Sequence, residues 1–437
     1  MTSIEEQPKI KLGDYIVIQR QKYTKLQKFG NLDATATLGK ELLELKGLLD
    51  QPYGATFRMC PKEELGKSHR GRQRLHALEL CNELEMRNIR EVLGISQSGD
   101  DNRNIKDDGD SQALKSEDIE QLRDECKEST KIIEKIVENS KTFHSKTEYS
   151  QEKYLKKKEK KYFEFVQIRQ PTIRLITEMY YRQDAEKVMG IRVDTLSQMI
   201  SYSGVSAFGN YLLYDSGSNG LLPAAFLNSI GADTEATMVH MHPGNIPQKQ
   251  ALLALNLPDE QTNRCISVNI YSVLREFYQG TEETNSEIVV AEPSTKKQKL
   301  NEVEDNDVIG SETTKEERQS EPATKTTLQK WQIENRRAVN LMHNKFDSLV
   351  IASKEHPANL VKELLPFVKP SRPVVIFSLC KEVLMELYVE LKTSSKVTNL
   401  HLTSNWLRMY QILPNRTHPE VNMNANSGYL LTGYTLG

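Results

Sequence analysis

Residues 212–231 read LLYDSGSNGLLPAAFLNSIG. An apolar run ends in Asp215, glycines follow, and an apolar helical pattern begins at Leu221. A strand, a glycine turn and a helix in that order make the cradle of a nucleotide-type cofactor, because glycine lets the backbone approach the ligand closely. The glycine spacing is incomplete here. Of the three places in an acid-x-Gly-x-Gly-x-Gly run, Gly217 fills the first, while Asn219 and Leu221 bring side chains to the other two. The next strand pattern, ATMVHMH, ends in His240, His242 and Pro243, where a dinucleotide-type site carries an acid for the ribose hydroxyls. The two histidines are metal-ligand types at HxH spacing, but no third ligand accompanies them, so they read as core or loop residues and no metal is expected.

A second stretch carries different chemistry. In YSQEKYLKKKEKKY, Lys153, Lys156, Lys157, Lys158, Lys160 and Lys161 crowd together. On a helix, Lys153, Lys157, Lys160 and Lys161 share one face, with Tyr154 and Tyr162 interleaved. A basic stripe with aromatics suits a phosphate backbone, and such binding weakens steeply with salt. The same stripe also reads as a solvated helix face or an import signal, and the pattern alone does not choose between them.

These residues need a scaffold. A chain of 437 residues has room for two to four domains at about 150 residues each. With 38% apolar and 27% charged residues it has core to bury, and at a net charge of −2 any nucleic-acid binding must come from local patches. The cysteines Cys60, Cys81, Cys126, Cys265 and Cys380 are scattered without CxxC spacing, which points to a reducing compartment and away from structural zinc. The N-terminus shows no apolar signal core and no long apolar run occurs, so a nuclear or cytosolic protein without a membrane partner is expected.

Two polar stretches, 96–117 and 280–326, bury too little to offset chain entropy and read as a disordered linker and a disordered insertion. They divide the chain into a small β-barrel (1–95), a helical basic segment (118–170) and two parts of one α/β domain (171–279 and 327–437). The barrel is read from GDYIVIQ, KYTKLQKF and the turn signals after them, and it gathers Arg20, Lys22, Lys25 and Lys28, which on their own read as a solvated sheet face. In the last two parts strands alternate with helices of ten to fourteen residues, the signature of a parallel sheet. There, RCISVNIYSVL reads as a strand and turn, and GYLLTGYTL as half of a closing hairpin. The fold class is therefore α/β with an N-terminal β domain, the α/β part being a degenerate Rossmann-type domain.

LLDQPYGATF, KTEYSQEKYLKKKEKKYF, RVDTLSQMISYSGV, SRPVVIFS, MYQILPNRTHPEVNM and GYLLTGYTL together resemble the non-catalytic subunits of eukaryotic tRNA (adenine-58-N1) methyltransferases. The resemblance spans most of the chain outside the two polar stretches. It implies a methyltransferase fold that has lost its chemistry, with no catalytic residue and no cofactor of its own. S-adenosylmethionine is held by the catalytic partner, and two heterodimers form a heterotetramer. The loop agrees: where Leu221 replaces glycine, even ~1 Å of intrusion removes the close backbone approach a donor needs. The Asp-Leu-Pro motif of catalytic relatives aligns with Ala352, Ser353 and Lys354, which offer no carboxylate; Glu355 is one step away.

By this resemblance the chain helps hold a folded tRNA from which one base must be exposed. The lysine stripe, Arg169 and the barrel cations are the expected phosphate contacts. Arg408 and Arg416 read equally as RNA contacts or as ordinary surface pairs. Trp406, Leu407, Met409, Tyr410, Ile412 and Leu413 suit a partner interface, or simply core. Nuclear tRNA maturation is implied by the resemblance, with Lys296, Lys297 and Lys299 as a weak import cluster. Two alternatives stay open at this point: a self-sufficient RNA methyltransferase with a diverged loop, and an RNA-binding scaffold of translation initiation.

Overall fold

The short apolar runs YIVIQR and FVQIR build the N-terminal unit. In the computed structural model, which describes residues 8–39, 41–68, 71–81, 113–114, 118–119, 122, 129–162, 165–280, 329–412, 417–421, 423 and 425–436, these stretches are β1 (Tyr15–Arg20) and β7 (Phe165–Arg169). They join β2 (Tyr23–Lys28), β3 (Thr35–Leu38), β4 (Glu41–Glu44), β5 (Thr56–Ser68) and β6 (Gly71–Leu80) in a sheet of order β2-β1-β7-β5-β6-β4-β3. Ile16, Ile18, Leu43, Phe57, Val166 and Ile168 line its interior. β2 and β3 are the edges, yet side chains span between them: Lys25 Nζ on β2 donates to the Thr37 carbonyl and hydroxyl on β3, each at 2.7 Å. The sheet is thus curled into a nearly closed barrel. One inner strand, β7, comes from a stretch that the sequence groups with the helical segment; its Val166 and Ile168 complete the interior between β1 and β5.

Before β7 the chain forms a helical hairpin, α1 (Ser129–Glu138) and α2 (Glu148–Tyr162). Ile132, Ile133, Ile136, Val137, Phe143 and Leu155 give it a small core of its own.

The second sheet contains β8 (Asn210–Asp215), β9 (Thr237–His242), β10 (Cys265–Asn269), β11 (Ser348–Ala352), β12 (Pro373–Ser378), β13 (Val397–Trp406) and β16 (Asn426–Thr435), in the order β10-β9-β8-β11-β12-β16-β13. A short ribbon, β14 (Tyr410–Gln411) with β15 (His418–Pro419), stands between β13 and β16 in the chain. The five strands from β10 to β12 are parallel; β16 runs antiparallel to both β12 and β13. Between Asn210 and Asp215, β8 is continuously apolar (YLLY) because both of its faces are covered. Tyr211 and Leu213 face the cluster under α3 (Ile173–Gln183), α4 (Val193–Ser203) and α5 (Leu221–Ile230). Leu212 and Tyr214 face the cluster under α8 (Ile270–Gln279), α9 (Lys330–His343), α10 (Ala358–Leu364) and α11 (Lys381–Ser394), while the short helices α6 (Gln250–Ala254) and α7 (Asp259–Asn263) lie between β9 and β10.

This is the Rossmann-type sheet with a closing antiparallel strand. One stretch departs from the sequence reading. RCISVNIYSVL is a strand followed by a helix, since the Asn269 side chain accepts from Ser272 N at 3.0 Å and caps α8. The barrel docks on the α/β domain through Tyr15 and Asn256, which exchange two hydrogen bonds of 2.7 and 2.8 Å, and through Arg182, which donates to the Lys22 carbonyl.

Candidate cofactor crevice and nucleic-acid interface

In an open α/β sheet the ligand crevice lies beyond the carboxyl ends of the strands where the strand order reverses. Here that point lies between β8 and β11. The loop after β8 is organised around Asp215. The carboxylate is buried and accepts from the Gly217 and Ser218 amides at 3.0 and 2.8 Å and from the Ser218 hydroxyl. The same hydroxyl oxygen accepts from Leu222 N at 3.1 Å, in the first turn of α5. Burial pushes the Asp215 carboxyl above the usual carboxylate range, against the opposing pull of these hydrogen bonds and of the Lys354 charge. Asp215 is therefore spent on the turn itself.

Both glycines of the loop are closely faced by other parts of the chain. A side chain at Gly217 would meet the end of Lys354, with Cε at 2.7 Å and Nζ at 3.0 Å from the first added carbon. At Gly220 the obstacle is main chain: the Gln248 carbonyl lies at 2.7 Å and Lys249 Cα at 3.0 Å. The loops after β8 and β11 are also tied together. Ser216 N donates to the Ala352 carbonyl at 3.1 Å, and Lys354 N donates to the Ser216 hydroxyl at 2.7 Å. Asn219 takes a left-handed backbone, φ 59°, and its amide is held by the Gln248 side chain at 2.9 Å. At the end of β9 stands buried His242, which cannot act as the acid that holds a ribose.

The residues present do not fit S-adenosylmethionine. The obstruction differs from the one expected from the sequence, however. Leu221 opens α5 and is fully buried in the core rather than standing over the loop. Lys354 is the residue that reaches across. The sequence reading weighed Ala352, Ser353 and Lys354 only for a missing carboxylate, and did not consider what the long side chain of Lys354 could reach.

His240 and His242 are both buried, with ring centroids 5.8 Å apart. His240 Nδ1 lies 3.4 Å from the Ser267 hydroxyl, and burial drops the His240 pKa to about 3. Among the described residues no group of three metal-ligating side chains gathers anywhere.

The expected RNA contacts fall into three kinds. Lys153 and Lys157 project from α2 into solvent, opposite the buried Gln151 and Leu155. Lys158 is half-buried with Nζ 5.2 Å from the Tyr154 ring centroid, and Lys146 covers the same ring at 4.9 Å. The side chains of Lys156, Lys160 and Lys161 lie outside the described residues, as does Arg416. Several barrel cations are engaged within the barrel: Arg20 pairs with Glu41 at 2.6 Å, Lys25 bridges to Thr37, and Lys28 lies over Tyr15 at 5.7 Å. Lys22 is exposed, and exposed Arg169 donates to Gln19 at 3.1 Å. Arg408 is half-buried beside the ribbon.

Near the ribbon the apolar side chains are exposed rather than core: Trp406 is 73% exposed and Ile412 and Val421 each 79%, with Met409 and Tyr410 also open. Leu407 is half-buried, and Leu413 lies outside the described residues. The RVDTLSQ motif has a structural task. Arg192 pairs with Asp194 at 2.7 Å, and its backbone amide donates to Ser427 on β16, which locks α4 to the closing strand. The stretches 96–112 and 281–328, including Lys296, Lys297 and Lys299, lie outside the described residues. Among the described residues no helix is long and apolar enough to cross a membrane.

Comparison with known proteins gives the following. Residues 9–335 match the model of the Gcd10p family. The tRNA (adenine(58)-N(1))-methyltransferase non-catalytic subunit of Mus musculus is 31% identical, covering 97% of this chain and 88% of that protein. The protein of the same description in Dictyostelium discoideum is 28% identical, covering 97% and 79%. Among solved structures, the tRNA (m1A58) methyltransferase TrmI from Aquifex aeolicus aligns over 98% of this chain and 100% of that one, with 11% identity and a TM-score of 0.39.

Proposed function

This chain belongs to the Gcd10p family, and from that premise we propose how it works as the non-catalytic subunit of a tRNA (adenine-58-N1) methyltransferase. It does no methyl transfer. It assembles with a catalytic subunit that holds S-adenosylmethionine, and it supplies part of the grip on tRNA. The observation that carries this reading is the closed crevice: Asp215 is consumed by its own turn, Gly217 faces Lys354, and Gly220 faces the backbone at 248–249. The fold is kept because its outer surfaces serve, while the pocket that would seat a donor is filled by the chain itself.

Two surfaces serve. The exposed lysines of α2, Lys153 and Lys157, with the neighbouring lysines of the same run, meet phosphates. The exposed apolar side chains around β13 and the ribbon, Trp406, Met409, Ile412 and Val421, meet the partner. Two such heterodimers form a heterotetramer, and the complex acts in the nucleus on maturing tRNA, to N1-methylate one adenine.

The test is a methylation assay of the partner with and without this chain, repeated with Lys153→Glu/Lys157→Glu. Methylation requires the chain. The double variant weakens tRNA binding and makes the dependence of log affinity on log salt shallower by about 0.7–0.9 for each phosphate left unneutralised. Full methylation by the partner alone, or an unchanged salt slope, contradicts the proposal.

A further inference from the structure

Helix α8 carries a face that neither the crevice nor the core uses. Its inward side is fixed: Ile270 and Val273 are buried, and the Phe277 ring lies 4.8 Å from the His343 ring and 4.9 Å, edge-on, from Phe367. Asn335 of α9 donates to the Ser272 hydroxyl at 2.7 Å and holds the two helices in register. Outward point Tyr271, Arg275 and Tyr278, at i, i+4 and i+7, with Tyr271 73% and Tyr278 62% exposed. At 1.5 Å of rise per residue the two tyrosines stand about 10.5 Å apart along the helix, with the guanidinium between them. Trp331, on α9, is 51% exposed, and its indole N–H is held by Gln329 at 2.7 Å.

We propose that this face is a stacking platform for unpaired nucleotides of the bound RNA, which rests on the reading of the chain as a tRNA-gripping subunit. Three features select RNA over a protein partner. Across α8 and α9 the cations Arg275, Lys330, Arg336 and Arg337 outnumber the carboxylates Glu276 and Glu334, in a chain whose net charge is −2. Arg275 has no ion-pair partner among the described residues, so its charge is left for a phosphate or a base face. No aliphatic side chain is exposed on either helix, unlike the surface around Trp406 and Ile412, so the face offers rings and charge rather than the aliphatic contact of a protein interface. Tyr271 also opens α8 at the carboxyl end of β10, the edge of the sheet where this fold presents its crevice. The rings accept bases in any sequence, because stacking needs only a flat face.

The experiment uses the full chain in complex with its catalytic partner and an unmodified tRNA transcript, with affinity read by fluorescence anisotropy across a salt titration. Tyr271→Ala/Tyr278→Ala weakens binding about tenfold or more with the salt slope unchanged. Tyr271→Phe/Tyr278→Phe restores it, since the ring and not the hydroxyl stacks. Both tyrosines are exposed, so an unchanged melting temperature accompanies either variant. Wild-type affinity in the alanine variant overturns the platform while leaving the grip of α2 standing. Loss of the partner on purification with tRNA affinity intact assigns the face to protein and overturns it too. A wild-type complex that does not hold tRNA overturns the gripping role itself, and the platform with it.

Discussion

Asp215 sits where a nucleotide-binding loop keeps an acid, but both of its oxygens are occupied by the loop. Asp215→Ala removes three hydrogen bonds in a buried turn and leaves the Ser218 and Gly217 amides unpaired. The expected cost is about 2–4 kcal/mol of stability in a urea titration. His240 gives a pH signature. Its folded pKa lies near 3 against an ordinary 6.5, because burial disfavours the charged ring. The unfolded chain therefore takes up a proton below about pH 6.5 while the folded chain does not. Stability is unaffected above that pH and falls by about 1.4 kcal/mol per pH unit as pH drops from 6.5 toward 3. His240→Gln removes that slope, leaving the smaller contribution of His242, whose pKa burial also lowers. A urea series at pH 7, 6 and 5 on both proteins measures it. At this scale the sequence was half legible. The broken glycine spacing was visible in DSGSNGL, but not that Leu221 faces the core or that Lys354, from more than a hundred residues away, lies over Gly217. Spacing along a chain says nothing about which distant side chain fills a gap.

Strands and helices were read more fully than their junctions. The parallel sheet was legible because YLLY, LVIA and VVIF are apolar runs within β8, β11 and β12, and helices separate them. The strand Phe165–Arg169 was not, because a five-residue strand directly after a lysine-rich helix offers little periodicity of its own. Nor was α8, whose capping Asn269 is itself the last residue of β10, so strand and helix join without a loop. The barrel cations show why charge type alone misleads: Lys25 reads as a phosphate contact yet spans the gap between the edge strands. Lys25→Met thus lowers barrel stability by about 1 kcal/mol and leaves tRNA affinity within twofold. A large loss of affinity without loss of stability would return Lys25 to the RNA surface.

For the whole molecule, Trp406, Met409, Ile412 and Val421 are large apolar side chains exposed around one ribbon, the kind of surface that marks an interface. Covering them in an obligate interface requires well over about 2,000 Å² of buried surface. Expressed alone, the chain aggregates; co-expressed with its partner it elutes as one assembly. A stable monodisperse monomer would contradict that. Trp406→Glu/Ile412→Glu keeps the fold, since both side chains are exposed, and abolishes co-purification.

Donor stoichiometry is the most direct test. Titrating S-adenosylmethionine into the purified complex by calorimetry, the crevice geometry predicts one site for each pair of subunits. Two sites per pair would mean that Lys354 and the loop at Gly217 yield to the donor, and the account of a closed crevice would fail.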